Sequence, residues 1–356
     1  MRSSPQLRPR HLLALVDDVG IVQHAYGSIP NRSSGYCLDD AARLVITVLD
    51  LEHAESNNPS YQRMLSSGLA FVFHAWDAEA PGMHNLMDYG RHWLDAPHTG
   101  DHLGRAAWAL GAVVAAEPVR EEADPCLRLL ADMQPCLEGL ATSREMAYTI
   151  IGLTRPVMSM LPTPLQRLLD TLTDRLCKVY DEHRRKGWLW FENSLTYDNG
   201  RLPQALIAAG ARLANDKIIQ RGVEALDWYA EQCAVNGQTI RLVGNRWRRA
   251  DEPARSWADE GDEQPLDAAA LVEALIEAST YTGRPEYGQQ AVRTFEWFLG
   301  RNNQGLPVYD FATGGCHDGL GPDGLNPNEG AESTLAYLQA LLALESAGLQ
   351  SCITRP

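Results

Sequence analysis

No run in this chain approaches the roughly 20 consecutive apolar residues that a membrane-crossing helix needs. The start, MRSSPQLRPRHLLALVDD, carries basic residues but lacks the long apolar stretch of a secretory leader. A cytoplasmic protein with no membrane partner is therefore expected. An excess of positive charge is missing too. The net charge is −15, which argues against a nucleic-acid partner, because phosphate backbones are bound by basic faces. That charge suits a neutral or cationic substrate better than a polyanion. Cysteine is sparse: seven residues (37, 126, 136, 177, 233, 316 and 352) are scattered, odd in number and without a CxxC pair. They read as reduced thiols, several of them core-filling, rather than a disulfide frame. Walker-type phosphate loops, dinucleotide fingerprints and GxSxG elbows are absent, and no cofactor is expected. The Gly-rich stretch TGGCHDGLGPDGLNPNEGAES (313–333) precedes a helix without the preceding strand those motifs demand, and reads as a long loop at the mouth of a site.

What the chain does contain is a repeat. Six times a loop rich in Gly, Asn, Tyr and acids runs into a helix rich in Ala and Leu: GYCLDDAAR (35–43), DHLGRAAWALG (101–111), SREMAYTIIGL (143–153), LTYDNGRLPQALIAAG (195–210), DEQPLDAAALVEALIEA (262–278) and NEGAESTLAYLQALLAL (328–344). Five carry an acid at or just before the helix start, and in the remaining one Glu145 follows within two residues. Such a repeat predicts helical hairpins closed into a ring. The junction helices have only thin polar stripes, as a helix with neighbours on both sides and a layer behind requires. Pro203 and Pro265 sit where a first helical turn accepts proline. Between the junctions, 61–75, 121–140, 163–183, 217–233 and 286–299 show one apolar face and read as outer helices, with 8–17 as the sixth. Strand signals at 20–25, 239–244 and 306–311 are short and belong to loops or small hairpins. No low-complexity linker interrupts the chain. The expectation is all-α: one (α/α)6 toroid over residues 1–356.

In that ring the inner-helix N-termini meet at one end and gather carboxylates. The candidate catalytic acids are Asp40 and Asp198 first, then Asp39, Asp262 and Glu332. Glycosidic cleavage needs one carboxyl to protonate the leaving oxygen and another to activate water or attack carbon. It also needs aromatic faces for sugar rings and polar groups for hydroxyls. Candidates for those roles are Tyr36, Arg43, Asp88, Arg91, Trp93, His102, Trp190, Glu192, Tyr197, Asn199, Arg201, Glu263, Gln264 and Asn328. The competing explanation is capping: first-turn acids meet the helix dipole favourably, and any single one is more often a cap than a catalyst. The adjacent pair Asp39–Asp40 resists that explanation, as does Asp198 in its aromatic loop. Trp190 reads equally as a site wall or a core anchor. His92, His98 and His102 match no firm ligand spacing, and Cys316-His317 would need Cys37 to make a zinc site, so no metal is expected.

With these residues assembled, the chain resembles bacterial six-hairpin, (α/α)6-toroid glycosidase-like proteins. The stretches that carry the resemblance are HLLALVDDVGIVQHAYGSIPNRSSGYCLDDAAR, MDYGRHWLD with DHLGRAAWALG, WFENSLTYDNGRLPQAL, and GGCHDGLGPDGLNPNEGAES, which together span nearly the whole length. The resemblance, to proteins often encountered beside or fused to sugar-processing enzymes, implies a glycoside hydrolase acting on an oligosaccharide with inversion. Paired acids at an inner-helix start are also similar to the Asp-Asp of some toroidal mannan-cleaving hydrolases, which implies a catalytic role for Asp39 and Asp40. Glu263 departs from the pattern, which would place a neutral residue there. Two other readings stay open: a sugar epimerase or isomerase of the same toroid, using a pair among His24, His102 and His317, and a non-catalytic glycan-binding accessory protein that works with a glycosyltransferase.

Overall fold

The computed structural model describes residues 7–55, 58–80, 82–116, 120–253 and 255–354, so the first six residues of the basic start lie outside it. Among the described residues the helices are α1 (Arg10–Leu15), α2 (Leu38–Ala54), α3 (Pro59–Ala75), α4 (Asp101–Ala115), α5 (Ala123–Asp132), α6 (Gln134–Glu138) and α7 (Ser143–Thr154). They continue with α8 (Thr163–His183), α9 (Arg201–Arg212), α10 (Asp216–Gln232), α11 (Pro265–Thr282), α12 (Pro285–Phe295) and α13 (Ala331–Ser346). None of them is long and apolar enough to cross a membrane.

The six junction helices form the inner ring. α2 packs on α4, α4 on α7, α7 on α9, α9 on α11 and α11 on α13, and α13 returns to α2. Behind them stand α3, α5, α8, α10, α12 and α1, each against its inner partner, with α6 beside α8. Composition follows position. All 12 residues of α7 are buried, as a helix enclosed on every side requires. Only 7 of the 21 residues of α8 are buried, and Leu165, Leu168, Leu169, Leu172, Thr173, Leu176 and Tyr180 form a single stripe.

The inner helices approach closely where side chains are missing. A Cβ on Gly111 would lie 2.2 Å from the Gly152 carbonyl oxygen, and one on Gly152 would lie 2.6 Å from the Trp108 Cα. The helix starts are fixed locally. Pro265 opens α11, and Thr142 with Glu145 closes a capping box on α7. The outer segment 121–140 is two helices rather than one, because Pro135 in the first turn of α6 starts a new helix. Strands are two-residue antiparallel ladders, such as Ala25–Tyr26 with Ile29–Pro30 and Tyr36–Cys37 with Leu86–Met87. Residues 239–244 form no strand, and 306–311 contributes only an isolated bridge from Tyr309 to Cys316. Five of the cysteines (37, 126, 136, 233 and 316) are buried.

Candidate active site at the N-terminal mouth of the ring

Each inner helix begins at the same end of the ring, and the six starts surround a cavity of about 800 Å³. Asp39, Asp40 and Arg43 enter it from α2, and Asp101, His102 and Arg105 from α4. Glu145, Tyr197, Gln264 and Glu332 line it from the starts of α7, α9, α11 and α13, and Asp262 from the loop before α11. The loops add Gln23, His24, Asn85, His98, Asn245, Asp318 and Asn326.

The adjacent aspartates diverge because the helix turns between them. Asp39 accepts from Arg105 Nη1 at 2.5 Å and from Asn85 Nδ2 at 3.1 Å. Burial raises its pKa, but Arg105 and Arg43 outweigh burial and hold the carboxyl below its ordinary value. Asp40 accepts from Arg43 Nη1 at 2.9 Å and is almost fully buried. There desolvation wins over Arg43, Glu332 adds to it, and the pKa is pushed up to about 6. Arg43 turns its other nitrogen to Glu332 at 2.7 Å, so one guanidinium joins Asp40 to a carboxylate that remains partly open to the cavity.

Asp198 sits beneath this floor rather than in it. It occupies a left-handed conformation (φ +49°) just ahead of α9, where aspartate is tolerated better than most side chains. Its Oδ2 accepts from Tyr148 Oη at 2.6 Å and Arg105 Nη2 at 3.2 Å, and its Oδ1 lies 3.3 Å from Arg201 Nε. Burial raises its pKa, yet Arg201, Arg105 and Arg43 hold it below the usual carboxylate range. Arg201 is itself buried, clamped to Glu273 at 2.8 and 3.0 Å. Asn199 is fully buried and binds Arg144 and Asp267. These three residues therefore brace the site without lining the cavity.

Other expected contacts lie elsewhere. Tyr36 is core, with its hydroxyl on Asp17 at 2.8 Å, and Trp190 is fully buried against Trp228 and Tyr229. Trp93 packs on Phe71 and His84. Asp88 binds His92, and Arg91 reaches Asp18 on the surface. Glu192 pairs with Arg144 at 2.9 Å. Glu263 is buried under Trp297 and Asn303, and burial pushes its pKa up to about 7. Asn328 holds Asp318 and donates to His24 Nδ1 at 3.0 Å, acting behind the wall. Apart from Asn328, whose partners Asp318 and His24 line the cavity, these side chains take their partners in the shell around the ring.

The histidines divide similarly. His102 reaches the cavity edge, but its Nε2 lies 3.1 and 3.2 Å from the carbonyls of Met83 and His98, and burial lowers its pKa. His24 is exposed to the cavity. His317 is outside it, with Nδ1 on the Asn326 carbonyl at 2.8 Å. Cys37 caps α2 and Cys316 is buried. The residue most conspicuously absent from the sequence reading is Arg105. A lone arginine in an Ala-rich inner helix, one turn after Asp101, was the available signal.

No family model matches the chain, and no curated protein matches it in sequence. Solved structures do match its fold. A cellobiose 2-epimerase from Spirochaeta thermophila superposes with a TM-score of 0.73 at 14% identity, covering 98% of this chain and 95% of that one. A D-mannose isomerase gives 0.69 at 12% identity over 96% and 93%. The third is an inactive variant of a GH76 α-1,6-mannanase from Salegentibacter, with two consecutive aspartates changed to alanine, in complex with α-1,6-mannotetrose. It gives 0.62 at 9% identity over 94% and 95%. The chain thus has the six-hairpin (α/α)6-toroid fold found in both sugar epimerases and glycoside hydrolases.

Proposed function

We propose that this chain is a glycoside hydrolase that cleaves an oligosaccharide at the N-terminal mouth of the ring. The observation that carries the reading is the pair Asp39–Asp40: both line the cavity, and their surroundings drive their pKa values in opposite directions. Two carboxyls separated in this way supply an acid and a base at one pH. Asp40 protonates the leaving oxygen, and Asp39 stays ionised. Arg105 and Asn85 already occupy both oxygens of Asp39. That suits a carboxylate holding a water better than one attacking carbon, and we read the reaction as inverting. Glu332, across Arg43, is the reserve base, and Asp262 lines the cavity from the loop before α11. Tyr197, Gln264 and Asn326 are the groups we assign to sugar contacts. The inactive mannanase with paired aspartates replaced supports this choice of pair.

The runner-up is an epimerase or isomerase, favoured by the exposed imidazole of His24 in the cavity and by folds of that kind among the similar structures. A cytoplasmic setting agrees with cysteine spacing that frames no disulfide, and a link to a glycosyltransferase belongs to the accessory-protein reading.

The test is an oligosaccharide hydrolysis screen with product anomers followed by NMR, repeated with Asp39→Asn and Asp40→Asn. Each variant should lose about 10²–10⁴-fold in kcat while keeping its helical CD signal. The parent rate should fall as pH rises through about 6, where Asp40 gives up its proton. Full activity in both variants would remove the assignment. Epimerised sugar, with activity lost in His24→Asn, would transfer it to the runner-up.

A further inference from the structure

Outside the cavity, the loop between α12 and α13 brings together three side chains that the proposed hydrolysis does not use. One ligand atom each from Asp310, His317 and Glu329 lies within 4.8 Å of the others. We propose that these residues bind a first-row divalent cation, Zn²⁺ or Mn²⁺, which pins the loop forming one wall of the cavity.

Each ligand is held from behind. His317 donates Nδ1–H to the Asn326 carbonyl at 2.8 Å, a bond that in the neutral ring puts the free lone pair on Nε2. A ring nitrogen fixed on a carbonyl is the usual support of a metal-binding imidazole. Asp310 is fixed in a tight turn by the backbone N–H groups of Ala312 and Thr313, at 2.7 and 3.3 Å, both on Oδ1. Glu329 is the independent observation. It is only 3% exposed, and among the described residues it makes no ion pair; the Thr313 hydroxyl, on Oε2 at 2.8 Å, is its sole side-chain hydrogen bond. A buried carboxylate without a counter-charge is costly, and a cation in the cluster would supply one. The Gly315 backbone makes room for the carboxylate itself: a Cβ there would come within 2.2 Å of Glu329 Oε2.

One imidazole nitrogen and two carboxylate oxygens suit a transition-metal ion better than Ca²⁺ or Mg²⁺, which prefer all-oxygen shells. Cys316 is not among the three ligands. The consequence reaches the cavity because Asp318 and Asn326 belong to the same loop and line it.

The test uses the full chain, stripped with EDTA, in a Cys352→Ser background that removes the exposed thiol. Calorimetric titration with Zn²⁺, and separately with Mn²⁺, should give one saturable site per chain and a rise in Tm. His317→Ala and Asp310→Asn should each weaken that site about tenfold or more, with folding checked by far-UV CD. If His317→Ala does not fold, Asp310→Asn decides. The absence of a saturable site for either ion, or equal affinity in the folded variants, would overturn the proposal. The hydrolysis screen is read separately, so either reading can fail without the other.

Discussion

Asp267 has a pKa pushed further from its ordinary value than those of Asp40 and Glu263. Its Oδ1 accepts from the Asn199 backbone and side chain, both at 3.3 Å, while Oδ2 is buried with no hydrogen-bond partner among the described residues. Burial, and then the charge on Asp198, push its pKa up to about 8. Between about pH 4, where an unfolded aspartate releases its proton, and about pH 8, the folded chain holds a proton that the unfolded chain has lost. Stability must therefore fall as pH rises through that window and level off above it. Asp267→Asn keeps an acceptor toward Asn199 and carries no charge. We expect a flatter Tm-versus-pH curve from 5 to 8, and a Tm at pH 8 no lower than the parent's. An unchanged slope would show that Asp267 is ionised in the folded state. At this scale the sequence was legible only in part. Acids at helix starts marked the mouth, but the local backbone decided which of them faced it. Asp39 and Asp40 enter the cavity from the first turn of α2, whereas the left-handed turn at Asp198 directs that carboxyl under the floor. Trp190 read equally as wall or core, and its burial against Trp228 and Tyr229 decides for core.

Helix identity was easier to read than helix contact. An Ala/Leu/Gly composition with few polar residues marks burial on all sides, so the inner helices were visible in their own sequences. The amphipathic stripe of α8 was equally plain. Which helix would approach which, and how closely, requires both partners. Gly111 and Gly152 stand in two of the six junctions, yet only their meeting between α4 and α7 explains them. A methyl group at either position would strike backbone rather than a movable side chain. Gly152→Ala should therefore force α4 and α7 apart and cost about 1–3 kcal/mol or more in urea unfolding. A matched change at Gly139, where the nearest atom to an added Cβ is 3.3 Å away, should cost less. Equal losses at the two positions would mean that the crossing is looser than described.

Over the whole molecule, ring closure makes every inner helix a neighbour of two others, so opening the ring at any point strips two faces at once. We propose that the chain is a single domain and expect one cooperative transition, with near-UV and far-UV CD coinciding. Two separated transitions would divide it. Arg105 carries a related consequence. Its guanidinium touches Asp39 from α2, Tyr148 from α7 and Asp198 at the start of α9, while its own backbone belongs to α4. The first four hairpins thus converge on one planar cation, and no contiguous half of the polypeptide owns the place where the chemistry is proposed. Bisecting the sequence between α7 and α9 would leave two fragments, each holding an unsatisfied remnant of the same electrostatic knot, and only their reassembly would restore it.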